Sequence, residues 1–343
     1  MGFRSYFYRD IAVDLGTANT LIIQNDKIVV DEPSIIAIDR NTSKMIAVGK
    51  VAMQMHEKTH DTIKTIRPLK DGVIADYHAA ELMIQGMIKM LHKKKICFFT
   101  PFFNTIIICI PSGTTDVEKR AVRDSAAHTG AKEVYMIYEP IAAAIGIGVN
   151  IADPVGCMVV DIGGGTTEIA IISLAGIACN QSIKVAGNAF NMDILDHMRK
   201  QHNLLIGERT AEQIKLTIGA VWTDLNDPPP DYAVYGKDLL TGIPKIISVS
   251  YRAIATALEE SISKIDNAVL KALEMAPPEL ASDIYKNGIH LVGGGALLRG
   301  LDKRLHSITN LPVHIAEDPL QAVVRGTGIA LKNKEIYRSV LMG

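Results

Sequence analysis

The chain has 343 residues, with 36 lysine and arginine residues against 37 aspartate and glutamate residues and a net charge of −1 at pH 7. This length suggests about two domains, each able to bury a core, and the charge balance excludes a general attraction to nucleic acid. No uninterrupted apolar run of about 18 residues predicts a transmembrane helix, and four cysteines without a CxxC pair favour a reduced cytosolic compartment.

Strand patterns open the first half of the chain. The apolar stretches that predict a β-meander are 11–14, 20–24, 27–30 and 34–38. A more polar segment, about 39–75, precedes a helical pattern at Ala79–Leu91. The run 105–110 is apolar on both faces, which is typical of a central strand. Thr115, followed by acidic residues, predicts the N-cap of the next helix.

The second half repeats this plan. Its predicted strands are 156–161, 168–174 and 176–185. A helix is predicted from about Ala189, and the proline run in Asp227–Asp231 predicts a surface loop within the polar segment 222–245. A long helix, about Ser250–Met275, then leads to a strand at Gly288–Val292 that runs into a glycine turn.

Two segments share one order of residues, in which an apolar strand ends in an aspartate and is followed by a Gly/Thr turn and a second apolar strand. The aspartates are Asp14 and Asp161. Such turns expose backbone N–H groups that can bind phosphate oxygens, and the aspartates can hold a hydrated Mg²⁺ ion. A single turn of this kind is more often an ordinary β-hairpin. The duplication favours a nucleotide bound by both halves.

A third glycine turn follows the strand near residue 290 and is interpreted as a backbone approach to the nucleoside with a helix opening behind it. An equal alternative is a helix N-cap region without a ligand. The predicted nucleotide-binding residues of the three turns are Gly16, Thr17, Ala18, Asn19, Thr20, Gly163, Gly164, Gly165, Thr166, Thr167, Gly293, Gly294, Gly295 and Ala296.

Three acidic or basic side chains complete the predicted site. Glu139 precedes a proline-started, alanine-rich helix, where it could orient the attacking water of a hydrolysis reaction or only stabilise the helix N-terminus. Glu212 and Lys215, three residues apart, could reach the ribose and adenine or form a surface ion pair worth a few tenths of a kcal/mol.

With these motifs the chain resembles the actin-like ATPase superfamily and, within it, the MreB family. The segments that carry the resemblance are Asp14–Thr20, Arg67–Asp76, Glu118–Arg123, Asp161–Glu168 and Leu291–Leu301. The glycine turns are shared by the whole superfamily, whereas Arg67–Gly72 and Ala316–Pro319 are specific to MreB-like proteins. The resemblance implies an α/β fold of two ribonuclease-H-like domains, each a mixed sheet with helices, flanking a cleft for ATP and Mg²⁺.

The resemblance also assigns domains and roles. It implies domain I at 1–147 and 318–343, with subdomain IB at about 33–75, and domain II at 148–317, with subdomain IIB at about 186–245. Carried over by motif, Glu139 orients water, Thr166 and Thr167 belong to the second phosphate turn, and Gly187, Asn188, Glu212 and Lys215 contact the nucleoside. Two departures are Tyr138, where the family has a second glutamate, and Asn188, where it has aspartate.

The implied activity is slow ATP hydrolysis that regulates assembly into antiparallel double protofilaments. These filaments would lie on the anionic inner face of the cytoplasmic membrane and guide wall elongation to set rod shape. The partners that the resemblance implies are MreC, RodZ and the wall-elongation machinery. A small-molecule kinase and a non-polymerising regulatory ATPase on the same fold are the alternatives.

Four of the seven phenylalanines fall within six positions, next to Lys93–Lys95. They are Phe98, Phe99, Phe102 and Phe103. Thr100 and Pro101 between them predict a loop tip, from which the rings could insert into a membrane while the lysines face anionic lipid. The alternative is that the rings cover the adjacent sheet. Phe3 and Phe7 at the N-terminus are predicted to add a second membrane contact.

Overall fold

The computed structural model describes residues 8–92 and 102–343, and their packing separates the chain into two units. Unit 1 comprises the described residues up to Pro154, together with Ile172–Ile177 and Gln321–Gly343. Unit 2 comprises Val155–Ile171 and Ala178–Leu320. Each unit is built around a sheet and its helices.

Groups of strands are separated by helices along the chain. The strands are β1 (Tyr8–Leu15), β2 (Asn19–Gln24), β3 (Lys27–Pro33), β4 (Ile36–Asp39), β5 (Met45–Val48), β6 (Ile63–Ile66), β7 (Leu69–Lys70), β8 (Val73–Ile74), β9 (Phe102–Ile110), β10 (Glu133–Tyr138), β11 (Cys157–Ile162), β12 (Thr167–Ser173), β13 (Gly176–Ile183), β14 (Leu204–Leu205), β15 (Tyr232–Asp238), β16 (Pro244–Val249), β17 (Ile289–Val292) and β18 (Val313–Ile315). The helices are α1 (Lys50–Met55), α2 (Tyr77–His92), α3 (Asp116–Ala127), α4 (Glu139–Gly146), α5 (Gly187–His202), α6 (Glu208–Ile218), α7 (Tyr251–Glu274), α8 (Pro278–Asn287), α9 (Leu301–Thr309) and α10 (Ala322–Lys332).

The five-stranded sheets of the two units have equivalent strand orders, β3-β2-β1-β9-β10 and β13-β12-β11-β17-β18. In unit 1, β1 pairs antiparallel with β2 and parallel with β9. In unit 2, β11 pairs parallel with β17. The central strand of each sheet therefore ends in one of the two glycine turns, and Asp14 and Asp161 are the penultimate residues of these strands. The predicted internal duplication extends to the fold.

Several predicted elements are confirmed. Thr115 is the N-cap of α3 and forms a capping box with Glu118. Ser250 caps α7, accepting a hydrogen bond from the amide of Ala253. The strand predicted at 105–110 is the buried part of β9, and its isoleucine side chains pack into the core of unit 1.

The smaller sheets were missed by the sequence patterns. The polar segment 39–75 contains α1 and most of a three-stranded sheet and a short hairpin, in the orders β5-β4-β6 and β7-β8. Asp227–Asp231 is the predicted loop, but β15 and β16 follow directly and pair with β14. These strands bury only part of one face, so their sequences lack the continuous apolar runs of the central strands.

Helices α4 and α10 of unit 1 approach each other at two glycines. A Cβ atom on Gly326 would overlap the backbone carbonyl of Ala142, and a Cβ atom on Gly146 would overlap that of Ala322. The side chain of Arg325 donates to the carbonyl of Gly146 at 2.8 Å. Because the close neighbours are backbone atoms, a larger residue can be accommodated only if the helices move apart.

Replacing Gly326 with alanine is expected to lower the free energy of unfolding by about 2–3 kcal/mol, since overpacking of this size forces a backbone shift. Denaturant unfolding measures the change. The matched control is Gly328→Ala in the same helix, where the Cβ atom would lie 3.2 Å from the flexible side chain of Ile23. We expect the control to stay within about 1 kcal/mol of the native chain. Equal effects of the two changes would contradict this account of the crossing.

Candidate functional site

The first glycine turn lies between β1 and β2 in unit 1. A Cβ atom on Gly16 would lie 2.6 Å from the carbonyl oxygen of Asn19, so the turn requires glycine here. The backbone amides of Thr17 and Ala18 donate to no backbone acceptor within the described parts of the chain. Two adjacent N–H groups at the end of a strand are suited to binding an anion such as a phosphate.

A relay of hydroxyl groups fixes the shape of this turn. Ser34 donates to the carbonyl of Gly16 at 2.6 Å, and its oxygen lies 2.9 Å from the hydroxyl oxygen of Thr20. Since Ser34 has only one hydrogen to donate, Thr20 is the donor of the second bond. Thr20 is almost fully buried. Its hydroxyl therefore stabilises the turn and has no hydrogen left for a phosphate, and Ser34 is a site residue that the motif did not indicate.

The carboxyl group of Asp14 lies at the base of the turn. Burial raises its pKa from 3.8 to about 7, because desolvation disfavours the charged form. Desolvation is the cause of this shift, and no cation among the described residues offsets it. A carboxylate in such surroundings fits a divalent cation that would neutralise its charge.

The β7–β8 hairpin contacts the same turn. The amide of Gly72 donates to the hydroxyl oxygen of Thr17 at 3.1 Å. Asp71 and Gly72 both have positive φ, at 50° and 78°, as a two-residue hairpin turn requires. The hairpin at the end of the segment Arg67–Gly72 thus adjoins the first glycine turn.

Glu139 is the first residue of α4 and directly follows β10. In the parallel strands β1, β9 and β10, Asp14 pairs with Cys109 and Cys109 with Ile137. Glu139 is therefore two residues beyond the level of Asp14, at the carboxyl end of the same sheet. This end of a parallel sheet is where ligands bind in α/β proteins. The prediction that Glu139 lies at a helix N-terminus is confirmed, and its chemical role stays a prediction.

The second glycine turn, in unit 2, repeats the first. The amide of Gly163 donates to the carbonyl of Thr166 at 3.0 Å, and the amides of Gly164 and Gly165 have no backbone acceptor among the described residues. Thr167 is fully buried, like Thr20, and donates its hydroxyl hydrogen to the carbonyl of Val185 at 2.7 Å. The lone pairs of Thr167 can still accept a hydrogen bond, so it can serve as an acceptor for a water molecule but not as a phosphate donor.

The N-terminus of α5 is bonded to this turn. The amides of Gly187 and Asn188 donate to the carbonyls of Gly163 and Gly164, at 3.1 and 2.7 Å. Lys215 of α6 donates to the carbonyl of Gly187 at 3.0 Å and to the carboxylate of Glu212 at 2.8 Å. Unit 2 therefore brings together the second turn and the four residues assigned to the nucleoside.

The third turn packs against the end of β11. Gly293 has a φ of 78°, and a Cβ atom on it would overlap the carboxylate of Asp161. A Cβ atom on Gly295 would likewise overlap the side chain of Ile162. A 3₁₀-helix at Gly294–Leu297 follows, and α9 begins only at Leu301. The helix expected directly behind this turn is therefore a single 3₁₀ turn, while the turn itself lies beside Asp161.

The predicted membrane residues are mostly outside the described residues. Phe3, Phe7, Phe98 and Phe99 lie there, whereas Phe102 and Phe103 open β9, where their backbones pair with Tyr8 and Arg9. No described helix is both long enough and apolar enough to cross a bilayer. Three of the cysteines, Cys109, Cys157 and Cys179, are buried and form no disulfide bond among the described residues.

Comparison with known proteins agrees with this arrangement. A model of the MreB/Mbl protein family matches residues 8–339. The cell shape-determining protein MreB of Escherichia coli K12 is 46% identical over 340 residues, which are 98% of this chain and 96% of that protein. The cell shape-determining protein Mbl of Bacillus subtilis 168 is 44% identical over 330 residues, 96% and 97% of the two chains.

Solved structures extend the comparison to the fold. MreB5 of Spiroplasma citri bound to ADP matches with a TM-score of 0.89 at 40% identity, over 97% of this chain and 98% of that chain. The MamK double helical filament matches in fold, with a TM-score of 0.76 at 20% identity, over 96% and 99% of the two chains. The chain belongs to the MreB/Mbl family and has the actin-like ATPase fold.

Proposed function

We propose that this protein is a nucleotide-dependent filament protein of the cell-shape system, which binds ATP and Mg²⁺ and hydrolyses ATP slowly. The observation that carries the proposal is the repeated turn at the end of each central strand, with an aspartate before it and two adjacent amides available for an anion. Support comes from relatives named as cell shape-determining proteins and from MreB5 structures bound to ADP and AMPPNP.

The residues of the turns take separate parts in binding. In this proposal the amides of Thr17, Ala18, Gly164 and Gly165 bind phosphate oxygens, and Thr166 adds a hydroxyl donor. Asp14 and Asp161 would hold Mg²⁺, which when bound neutralises phosphate charge. The buried carboxyl of Asp14, with its pKa near 7, fits a bound cation.

Hydrolysis would depend on groups that orient water. We assign this part to Glu139, whose carboxylate can accept a hydrogen from an attacking water molecule. Thr167 can also accept a hydrogen bond from a water molecule, since its own hydrogen is committed to the carbonyl of Val185. Tyr138 stands beside Glu139 without a charge, so the base would act without a second acid next to it.

Assembly is the second part of the proposal. Exposed apolar side chains share one face of the β14-β15-β16 sheet, where Tyr235 and Ile246 are cross-strand neighbours that are 71% and 53% exposed. Leu205, at half exposure, lies on the adjoining strand. Apolar surface of this kind is typical of protein contacts, which supports self-association into the double protofilaments expected of the family.

Membrane attachment is the third part. We propose that Phe98, Phe99, Phe102 and Phe103 insert into the inner face of the cytoplasmic membrane, with Phe3 and Phe7 as a second contact. The sequence supports this through the adjacent Lys93–Lys95, since each lysine near anionic lipid contributes about 1 kcal/mol. Filaments would multiply such weak anchors by avidity. MreC, RodZ and the wall-elongation machinery are the partners proposed from family membership.

Negative-stain microscopy of the purified protein on anionic liposomes tests the proposal, with ATP, with ADP and without nucleotide. We expect paired filaments on the lipid surface with ATP. Joint replacement of the four phenylalanines by serine should abolish lipid co-sedimentation, whereas Ile336→Ser, at an exposed apolar residue of unit 1, should not. Bare liposomes under every condition would contradict the filament proposal and favour a non-polymerising ATPase, while phosphorylation of a sugar panel would identify a kinase.

A further inference from the structure

A side chain that the sequence motifs did not indicate lies in the network that joins α5 to α6. Asn191 is one helical turn beyond Gly187, and its Nδ2 atom donates to Oε2 of Glu212 at 2.6 Å. Lys215 donates to the same oxygen. Asn191 therefore belongs to the same cluster as the two residues assigned to the nucleoside.

The amide orientation of Asn191 is fixed by its partner. An ionised carboxylate can only accept hydrogen bonds, so the nitrogen of the amide, and not its oxygen, must face Glu212. The Oδ1 atom consequently points elsewhere. It is buried and has no hydrogen-bond donor among the described residues. A buried acceptor without a donor is rare in native proteins and costs free energy in the absence of a partner.

Only some groups of a nucleotide can donate a hydrogen bond to Oδ1 of Asn191. Phosphate oxygens are acceptors near pH 7, so they cannot satisfy Oδ1. The nucleoside offers donors in its ribose hydroxyls and, in adenine, in the exocyclic amine. The position of Asn191 on α5 also favours the nucleoside over the phosphates. The amide of Gly187 is bonded to the second phosphate turn, and Asn191 lies four residues, or about 6 Å, further along the helix.

We propose that Asn191 contacts the nucleoside directly, accepting at Oδ1 a hydrogen bond from a ribose hydroxyl or from the exocyclic amine. Through Nδ2 it also holds Glu212 in place. This inference rests on the proposed nucleotide binding and adds a residue that selects the nucleoside, whereas the turns recognise only phosphate.

Equilibrium binding of nucleotides in the presence of Mg²⁺ tests this assignment. The ligands are ATP, 2′-deoxy-ATP, 3′-deoxy-ATP and the triphosphate of purine riboside, which lacks the exocyclic amine. The variants are Asn191→Leu and Asn191→Ala, with Gln213→Leu as the control. Gln213 is exposed on α6, and its side chain bonds only to Thr217 among the contacts of the described residues.

We expect Asn191→Leu and Asn191→Ala to weaken ATP binding about fivefold to tenfold, the size of one net hydrogen bond. One of the three analogues lacks the group that donates to Asn191, so the native chain should bind it more weakly than ATP by a similar factor. The Asn191 variants should bind this analogue with the same affinity as the native chain does. The group that this analogue lacks, a ribose hydroxyl or the exocyclic amine, is then the donor to Oδ1. The control should bind all four ligands as the native chain does.

Two results would overturn the inference while leaving the proposed function intact. One is equal weakening of ATP and all three analogues by the Asn191 variants, which would mean that Asn191 only positions Glu212. The other is unchanged ATP affinity in variants that fold normally. If the native chain binds none of the four ligands, the proposed function itself fails, and this inference fails with it.

Discussion

Replacing Asp14 with asparagine is expected to stabilise the nucleotide-free protein at pH 8 and, in the same variant, to weaken binding of Mg²⁺–ATP by at least about 100-fold. The first effect follows from burial, which raises the pKa of Asp14 to about 7. Each pKa unit corresponds to about 1.36 kcal/mol. The residue as a whole is half-buried although its carboxyl group is desolvated, and the remaining exposure screens part of this cost. We therefore expect the substitution to raise the free energy of unfolding by about 1–3 kcal/mol.

The sign can be tested by pH. Between about pH 4 and pH 7 the folded chain keeps a proton on Asp14 that the unfolded chain has released, so Asp14 makes the native apo protein less stable as pH rises through this range. Above about pH 7 Asp14 is ionised in both the folded and the unfolded chain, and the loss of stability caused by its burial has reached its full size. The stability difference between Asp14→Asn and the native protein should therefore grow from low pH to pH 8 in thermal unfolding without nucleotide.

The second effect concerns the ligand. Asparagine keeps the shape of the side chain but lacks the charge that would hold Mg²⁺, so ATP with Mg²⁺ should no longer raise the melting temperature of the variant. Asp31→Asn, at an exposed acid on β3 of the same sheet, is the control and should change stability by less than about 0.5 kcal/mol. Undiminished stabilisation of Asp14→Asn by Mg²⁺–ATP would contradict the assignment of Asp14.

Glu139→Gln is expected to lower the rate of ATP hydrolysis by about 10²–10³-fold while leaving ATP affinity within about threefold. The glutamine has the same size but is a far weaker base, so the change removes the group that would orient and polarise the water. Single-turnover hydrolysis and equilibrium binding of ATP separate the two quantities.

The matched control for this change is Glu279→Gln. Both glutamates lie in the first turn of a helix that has proline there, so both variants lose the same favourable interaction with the helix dipole. Glu279 is in α8, which contributes no residue to the predicted site. Similar hydrolysis rates in the two variants would show that Glu139 only stabilises the start of α4.

The central strands and the turns of this protein could be predicted because their signals are local. Asp14 and Asp161 each follow a run of apolar residues that is buried on both faces, and a close backbone contact requires glycine at Gly16. The place of Glu139 at the start of α4 followed from Pro140 and the alanines after it. Residues adjacent in sequence determine such features.

Ser34 and Asn191 could not be predicted, because their roles depend on contacts across the fold. Ser34 lies 18 positions from the carbonyl of Gly16 that it bonds, and Asn191 is one of several polar residues on an amphipathic helix. The buried threonines Thr20 and Thr167 looked like phosphate donors for the same reason, since only the tertiary structure shows that their hydrogens are committed to Ser34 and Val185.

The crossing of α4 and α10 has a consequence for how this sequence can change. Gly146 and Gly326 face backbone atoms of the opposite helix. A smaller side chain on that helix therefore cannot relieve the overlap that a larger residue at either position would cause. A substitution at one glycine has no compensating substitution at the other, because no residue is smaller than glycine. In a library of all single and double variants, both positions should therefore tolerate glycine alone, and no pair of changes should restore the loss.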